Sequence, residues 1–198
     1  MIWGKKDVLL HTKSLMAQSR WHKDKKSPVI MDKGQSHSEI LYNKEQTYKE
    51  LIPQIESLVE GESNWIGVLA NVSAALRMSQ GERFFWVGFY FVSGGELLLG
   101  PFQGTTACYR IGYGRGVCGT AWQRGTTVIV DDVELFPGHI ACSSESRSEI
   151  VVPMRNTDGE ITAVLDIDSK APAAFDKTDK KYLEQICSVL SGLNISKI

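Results

Sequence analysis

"FFWVGFYFV", residues 84–92, decides how the rest of the chain is read. A run this dense in aromatic and β-branched residues suits a buried strand. Alternation along such a strand puts Trp86, Gly88 and Tyr90 on one face, with the glycine leaving a gap between two rings. Gly94-Gly95 then turns the chain into "ELLLG", which makes a hairpin. Toward the C-terminus, "TTACYRIGY" reads as a further strand carrying Cys108, "GVCGTAWQRG" as a short helix and "TTVIV" as a strand. "EIVVPM" and "EITAVLDID" are two more, joined by a turn at Thr157-Asp158-Gly159. The loop between them and "TTVIV", residues 131–148, is too long for a simple connection and is marked as functional.

Toward the N-terminus, Leu51, Ile55, Leu58 and Val59 recur at helical spacing, ended near Gly61. Trp65, Val68, Leu69, Val72, Ala75 and Leu76 define a second amphipathic helix, closed by Gly81. Helical spacing returns in Leu183, Ile186, Leu190 and Leu193. Helices at both ends of a run of strands predict an α+β domain: an antiparallel sheet with N- and C-terminal helices packed on one face. That domain spans 45–198, and residues 1–44, polar and aperiodic, read as a flexible N-terminal tail.

A chain of 198 residues is enough for one domain with a sizeable core. Its 42% hydrophobic and 23% charged residues are ordinary for a globular protein, and a net charge of −1 recruits neither nucleic acid nor an anionic membrane. No apolar run reaches the ~20 residues that span a bilayer. The first 30 residues hold seven Lys/Arg against Asp7 and Asp24, which reads either as a disordered tail or as an organelle-import leader.

Four cysteines, Cys108, Cys118, Cys142 and Cys187, form no Cys-x-x-Cys pair, so neither a zinc knuckle nor a thioredoxin-type motif is expected. Cys187 lies on the apolar face of the last helix and reads as a small core residue. Cys108 alone reads as a core thiol on a strand. Cys118, at a glycine-flanked helix start, is placed where backbone N–H groups would lower a thiol pKa; a need for a small side chain explains it equally. Cys142 differs. It sits in "FPGHIACSSESRSEIVVP", residues 136–153, where Ser143, Ser144, Ser146 and Ser148 offer hydroxyl donors and His139 and Arg147 offer positive charge. Such surroundings stabilise a thiolate, the nucleophilic form of cysteine.

"VLDIDS" puts Asp166 and Asp168 on one strand face and Leu165 and Ile167 on the other. Two like charges side by side disfavour joint ionisation, so one pKa should rise. A carboxylic acid that keeps its proton near neutrality can donate to a substrate oxygen, and a carboxylate pair can bind an ammonium group. An exposed strand-end pair is the plainer alternative. Glu149 is a further acid or amine ligand, or a surface charge paired with Arg147.

These motifs, "WVGFY", "GPFQG", "ACYRI", "GVCGTA", "FPGHIAC", "SRSEIVVP" and "VLDIDS", occur in that order over residues 45 to 190, about three quarters of the chain. In this the segment closely resembles the free methionine-(R)-sulfoxide reductases, a family of stand-alone GAF-domain enzymes. The resemblance implies a GAF-like sheet and a reductase for free L-methionine (R)-S-oxide. In it Cys142 would attack the sulfoxide sulfur and become a sulfenic acid. A second thiol, Cys108 first and Cys118 second in order of preference, would close an intramolecular disulfide recycled by thioredoxin. Trp86 and Tyr90 would hold the methylthio end; Glu149, Asp166 and Asp168 would bind the amino group and the sulfoxide oxygen. No metal and no bound organic cofactor is implied, with thioredoxin as electron donor, a homodimer as assembly and the cytoplasm as compartment. The basic tail lies outside the family core, and "SSES" after Cys142 replaces an expected acidic residue, which touches local pKa tuning. Two other functions compete: a GAF small-molecule-binding module and a cysteine redox sensor.

Overall fold

The computed structural model describes residues 37–140, 143–193 and 195, with backbone alone for 37–43. Of the expected tail, residues 1–36 lie outside the described residues, as does Cys142, whereas 37–44 are not tail but the beginning of a helix whose Lys44 bonds Asp179. The central hairpin is formed by β1 (Trp86–Ser93) and β2 (Glu96–Gln103), which pair antiparallel around Gly94-Gly95. Their register slips by one residue between Gly88–Phe102 and Tyr90–Leu99. Pro101, which has no N–H to give to a ladder, sits at this irregularity.

The remaining strands are β3 (Arg110–Gly112), β4 (Val128–Val130), β5 (Ser148–Arg155) and β6 (Ile161–Ser169). They complete one six-stranded sheet in the order β3-β2-β1-β6-β5-β4, with every neighbouring pair antiparallel. The third strand is far shorter than "TTACYRIGY" predicts. Cys108 precedes it and lies on no strand. The cause is local: backbone pairing with β2 holds only from Arg110 to Gly112, beyond a single bond from Leu99 N to Tyr109 O at 3.1 Å.

The helices are α1 (His37–Val59), α2 (Trp65–Gln80), α3 (Gly116–Arg124) and α4 (Lys177–Val189). Alternation assigns the two sheet faces. Val87, Phe89 and Phe91 of β1, Ile150, Val152 and Met154 of β5, and Ala163, Leu165 and Ile167 of β6 point to one side. There they meet Leu51 and Ile55 of α1, Val68, Leu69, Val72 and Leu76 of α2, and Leu183, Ile186 and Cys187 of α4. Each fully buried aliphatic or aromatic side chain contributes about 1.5–3 kcal/mol. This core holds the sheet rigid from behind. Cys187 belongs to it as the sequence indicates, its thiol pushed up by burial.

The short α3 crosses to the opposite face. Val117, Cys118 and Ala121 pack there against Trp86, Tyr90, Val151 and Val164. Its approach depends on Gly119, where a Cβ would stand 2.4 Å from the Gly112 carbonyl oxygen. The loop between β4 and β5 covers the rest of this face, with Val133 buried in the same cluster.

A buried carboxylate joins the two ends of the domain. Asp179 of α4 is fully buried and accepts from Tyr48 Oη at 2.7 Å, Lys44 Nζ at 2.7 Å and Arg83 Nη1 at 2.8 Å. Its second oxygen also takes the Asp176 backbone N–H at 2.9 Å, half of a capping box. Removing one partner of a buried ionic cluster leaves the others uncompensated, at a cost of about 3–5 kcal/mol. Asp179→Asn is expected to lose that much in urea unfolding. Lys181→Ala, which removes an exposed pair with Glu45 and an exposed contact with the Tyr182 ring, should change stability by no more than about 1 kcal/mol. A loss below 1 kcal/mol in Asp179→Asn would show that this cluster does not hold the helices together.

Candidate functional site

The site lies on the sheet face under α3, and strand register builds it. Trp86 of β1 stands opposite Asp168 of β6, which stands opposite Glu149 of β5. One row along, Gly88 faces Asp166, which faces Val151. Three acids on neighbouring strands therefore share one surface. α3 then lowers Cys118 onto them, and its Sγ lies 3.8 Å from Glu149 Oε1. Glu149 and Asp166 are buried, whereas Asp168 retains partial exposure.

A cavity of about 30 Å³ is lined here by Cys118, Glu149, Asp166, Asp168, Ser146 and His139, among others. That is room for roughly two water molecules. Burial pushes the Glu149 carboxyl well above the usual range, and the neighbouring Asp166 and Asp168 charges add to it. Burial does the same to Asp166, again with Asp168 adding. Asp168 is pushed up to about 6 by burial, with the Ser146 hydroxyl opposing. In the "VLDIDS" pair Asp166 is thus buried and Asp168 half-buried, and the exposed strand-end alternative falls. Among the described residues Asp166 Oδ1 has no hydrogen-bond partner. Among the described residues no cation pairs with any of the three acids. Such a cluster can take up an ammonium group, or hold protons and deliver one to an oxygen.

Several expectations change. The helix start does not activate Cys118: burial, followed by the Asp166 and Glu149 charges, pushes its thiol well up. His139 offers no positive charge near neutrality, because burial lowers its pKa. Arg147 pairs with Asp132 at 3.8 Å, which leaves Glu149 to the cavity. Ser148 Oγ donates to the Ala171 carbonyl at 2.7 Å. Ser143 Oγ accepts from Glu145 N, closing a local turn. Ser146 is the serine of the four that reaches the acids.

Trp86 and Tyr90 are stacked, with ring centroids 6.1 Å apart. Phe102 stacks on Trp86 at 5.4 Å, and Trp86 Nε1 donates to the Thr105 carbonyl at 2.9 Å. The expected gap over Gly88 is filled: a Cβ there would stand 2.4 Å from Trp86 Cη2 and 2.5 Å from Phe102 Cβ. Glycine makes room for the tryptophan ring itself. The two rings form the floor beneath the acids and do not line the cavity. Burial first, and then the Asp166 charge, push the Tyr90 phenol upward, so it stays protonated.

Cys108 is half-buried, packs against the same cluster and is disulfide-bonded, whereas Cys118 and Cys187 are free. Cys142 lies outside the described residues, which resume at Ser143. Ile111 and Ile140, which complete the cavity wall, were missed by sequence reasoning. Ile111 was recoverable from alternation along "RIG"; Ile140 carried no signal, because loop residues have no period.

Residues 68–192 match the GAF domain family. The GAF domain-containing protein A of Dictyostelium discoideum is 58% identical, covering 76% of this chain and 94% of its own. The free methionine-R-sulfoxide reductase of Escherichia coli is 43% identical, covering 75% and 88%. The free methionine-R-sulfoxide reductase of Neisseria meningitidis, solved in complex with its substrate, superposes with a TM-score of 0.72 at 53% identity, covering 75% of this chain and 88% of that one. With these likenesses and the antiparallel sheet already described, the chain belongs to the GAF-domain family, in the branch that contains the free methionine-R-sulfoxide reductases.

Proposed function

We propose that this protein reduces free L-methionine (R)-S-oxide to L-methionine with thiol electrons. The observation that carries the reading is the set of acids lining the cavity, Glu149, Asp166 and Asp168, on a face backed by Trp86 and Tyr90. A free amino acid brings an ammonium group, which such a cluster compensates; a residue within a peptide has none. A sulfoxide brings an oxygen that leaves poorly unless protonated. An acid whose pKa is raised by burial supplies that proton near neutrality, help typically worth about 10²- to 10⁴-fold. The methylthio group is assigned to the rings of Trp86 and Tyr90, which back the acids but do not line the cavity, so substrate has to open the site toward them.

The chemistry balances on sulfur alone. Cys142 thiolate attacks the sulfoxide sulfur and the oxygen passes to Cys142 as a sulfenic acid. The substrate sulfur gains two electrons, Cys142 loses two, and methionine leaves. A second thiol displaces water from the sulfenic acid and forms a disulfide. Cys108 is favoured for this role because it is the one of the two candidates that is disulfide-bonded, while Cys118 keeps its thiol against Glu149. Thioredoxin then returns two electrons by thiol exchange. Among the described residues no helix is long and apolar enough to cross a membrane.

Thioredoxin-linked NADPH oxidation is expected with free L-methionine (R)-S-oxide, and little or none with the S epimer or a peptide-bound sulfoxide. Equal turnover of hydrogen peroxide would favour the redox-sensor reading instead. Cys142→Ser should release no methionine even in a single turnover. Cys108→Ser should complete that first turnover and then fail to cycle; the same pattern in Cys118→Ser alone would exchange the two roles.

Asp168 gives a pH prediction. Its folded-state pKa of about 6 exceeds the unfolded value of about 3.9, so the native state holds the proton longer. Its stabilising contribution is fully present below pH ~4 and is lost as pH climbs through about 6. Asp168→Asn should therefore gain relative stability over that window, by up to about 2–3 kcal/mol, while activity falls at least about tenfold. Urea unfolding of both proteins from pH ~4 to ~8 measures it. A difference that stays constant across that range would mean the carboxyl is not strained by burial.

A further inference from the structure

Cys118 Sγ, a carboxylate oxygen of Glu149 and one of Asp166 all lie within 4.8 Å of one another, on buried side chains. They come from α3, β5 and β6, so rigid elements hold all three. Tetrahedral zinc, with Zn–S of about 2.3 Å and Zn–O of about 2.0 Å, needs donor separations of about 3.3–3.5 Å. The 3.8 Å from Cys118 Sγ to Glu149 Oε1 is already near that. A second observation is independent of this spacing. Asp166, only 6% exposed, presents at the cavity both other groups line an Oδ1 that has no hydrogen-bond partner among the described residues. A buried acceptor without a donor is costly, and a cation satisfies it. One thiolate and two carboxylates suit zinc(II) or cadmium(II) better than magnesium or calcium, which take oxygen alone.

We propose that this cluster is a binding site for a thiophilic divalent cation, zinc(II), held by Cys118, Glu149 and Asp166. Three protein donors leave the fourth tetrahedral position open to the cavity. The metal and a substrate ammonium would compensate the same carboxyl groups in a space of about 30 Å³, so each excludes the other. This exclusion, which makes zinc a reversible inhibitor, rests on the reductase reading given above; the metal site itself does not.

Cadmium(II) titrated into the full chain without added reductant reports thiolate ligation directly, through its ultraviolet charge-transfer band. Among the described cysteines, Cys118 and Cys187 are free in that state. A saturable band is expected, displaced by zinc(II). Cys118→Ala should abolish it and weaken zinc(II) binding by about 100-fold or more, while Glu149→Gln and Asp166→Asn weaken it by about ten- to a hundredfold. Cys187→Ala should leave the band unchanged. Absence of the band in the unsubstituted protein, or its persistence in Cys118→Ala, overturns the proposal. Should Cys118→Ala fold poorly, X-ray absorption of the zinc-loaded unsubstituted protein decides: one sulfur ligand is expected, and none, or two or more, overturns it. In the thioredoxin-linked assay zinc(II) should raise the apparent KM for methionine sulfoxide, reversed by EDTA. A fall in kcat alone would refute mutual exclusion. A protein that binds zinc(II) as described yet reduces no sulfoxide sinks the functional reading and leaves the metal site standing.

Discussion

Three carboxyl groups and a thiol facing one another in a cavity that holds a couple of waters cannot all be charged. The rest of the molecule is arranged around that constraint. Glu149 of β5 and Asp166 and Asp168 of β6 are fixed by the register of two neighbouring strands, so they cannot swing apart. The strands are held from behind by an apolar face packed on three helices. From the front α3 and the described part of the β4–β5 loop limit access of water, which raises the cost of ionisation. The free energy stored in this way is released when something positive arrives, whether a proton, an ammonium or a metal ion. A site that destabilises its own protein is a common mark of function.

Two buried aspartates sharpen the point. Asp179 and Asp166 are both shut away from water. Asp179 accepts from Tyr48, Arg83, Lys44 and a backbone N–H, so its charge is answered four times over. It ties α1 to α4 and needs no visitor. Asp166, among the described residues, has an oxygen with no partner and carboxyl neighbours in place of cations. The same side chain at similar depth is a brace in one place and a receptor in the other. The difference lies wholly in what the fold puts beside it.

The cysteines divide along the same line. Cys187 is packed among leucines and isoleucines, and Cys118 is pressed onto carboxylates; burial raises both thiols. A position at a helix start therefore says little about a thiol when desolvation and nearby anions act against it. Residue type alone does not assign partners in the loop before β5. His139, Arg147, Ser143 and Ser148 read as donors and charges around the Cys142 thiolate, and Cys142 itself lies outside the described residues. The structure gives Arg147 to Asp132, Ser148 to Ala171 and Ser143 to a local turn, and burial keeps His139 neutral.

The sequence by itself determined whatever depends on short-range periodicity. Alternation in "FFWVGFYFV" and "VLDIDS" placed Trp86 with Tyr90 and Asp166 with Asp168, each pair on one face, because strand side chains alternate wherever the strand ends up. Helical spacing likewise marked the three helices that cover the apolar side, and the ordered motifs marked the family. Where pairing rather than propensity sets the limits, as at β3, the reading overran and put Cys108 on a strand that begins two residues later. Only the tertiary structure brought Cys118, Glu149 and Asp166 within reach, filled the space over Gly88 with tryptophan, and joined Asp179 to Tyr48 across 131 positions of chain. Those contacts depend on which strands pair, in which register, and which face a helix crosses to. None of these has a local period, so no local pattern can announce them.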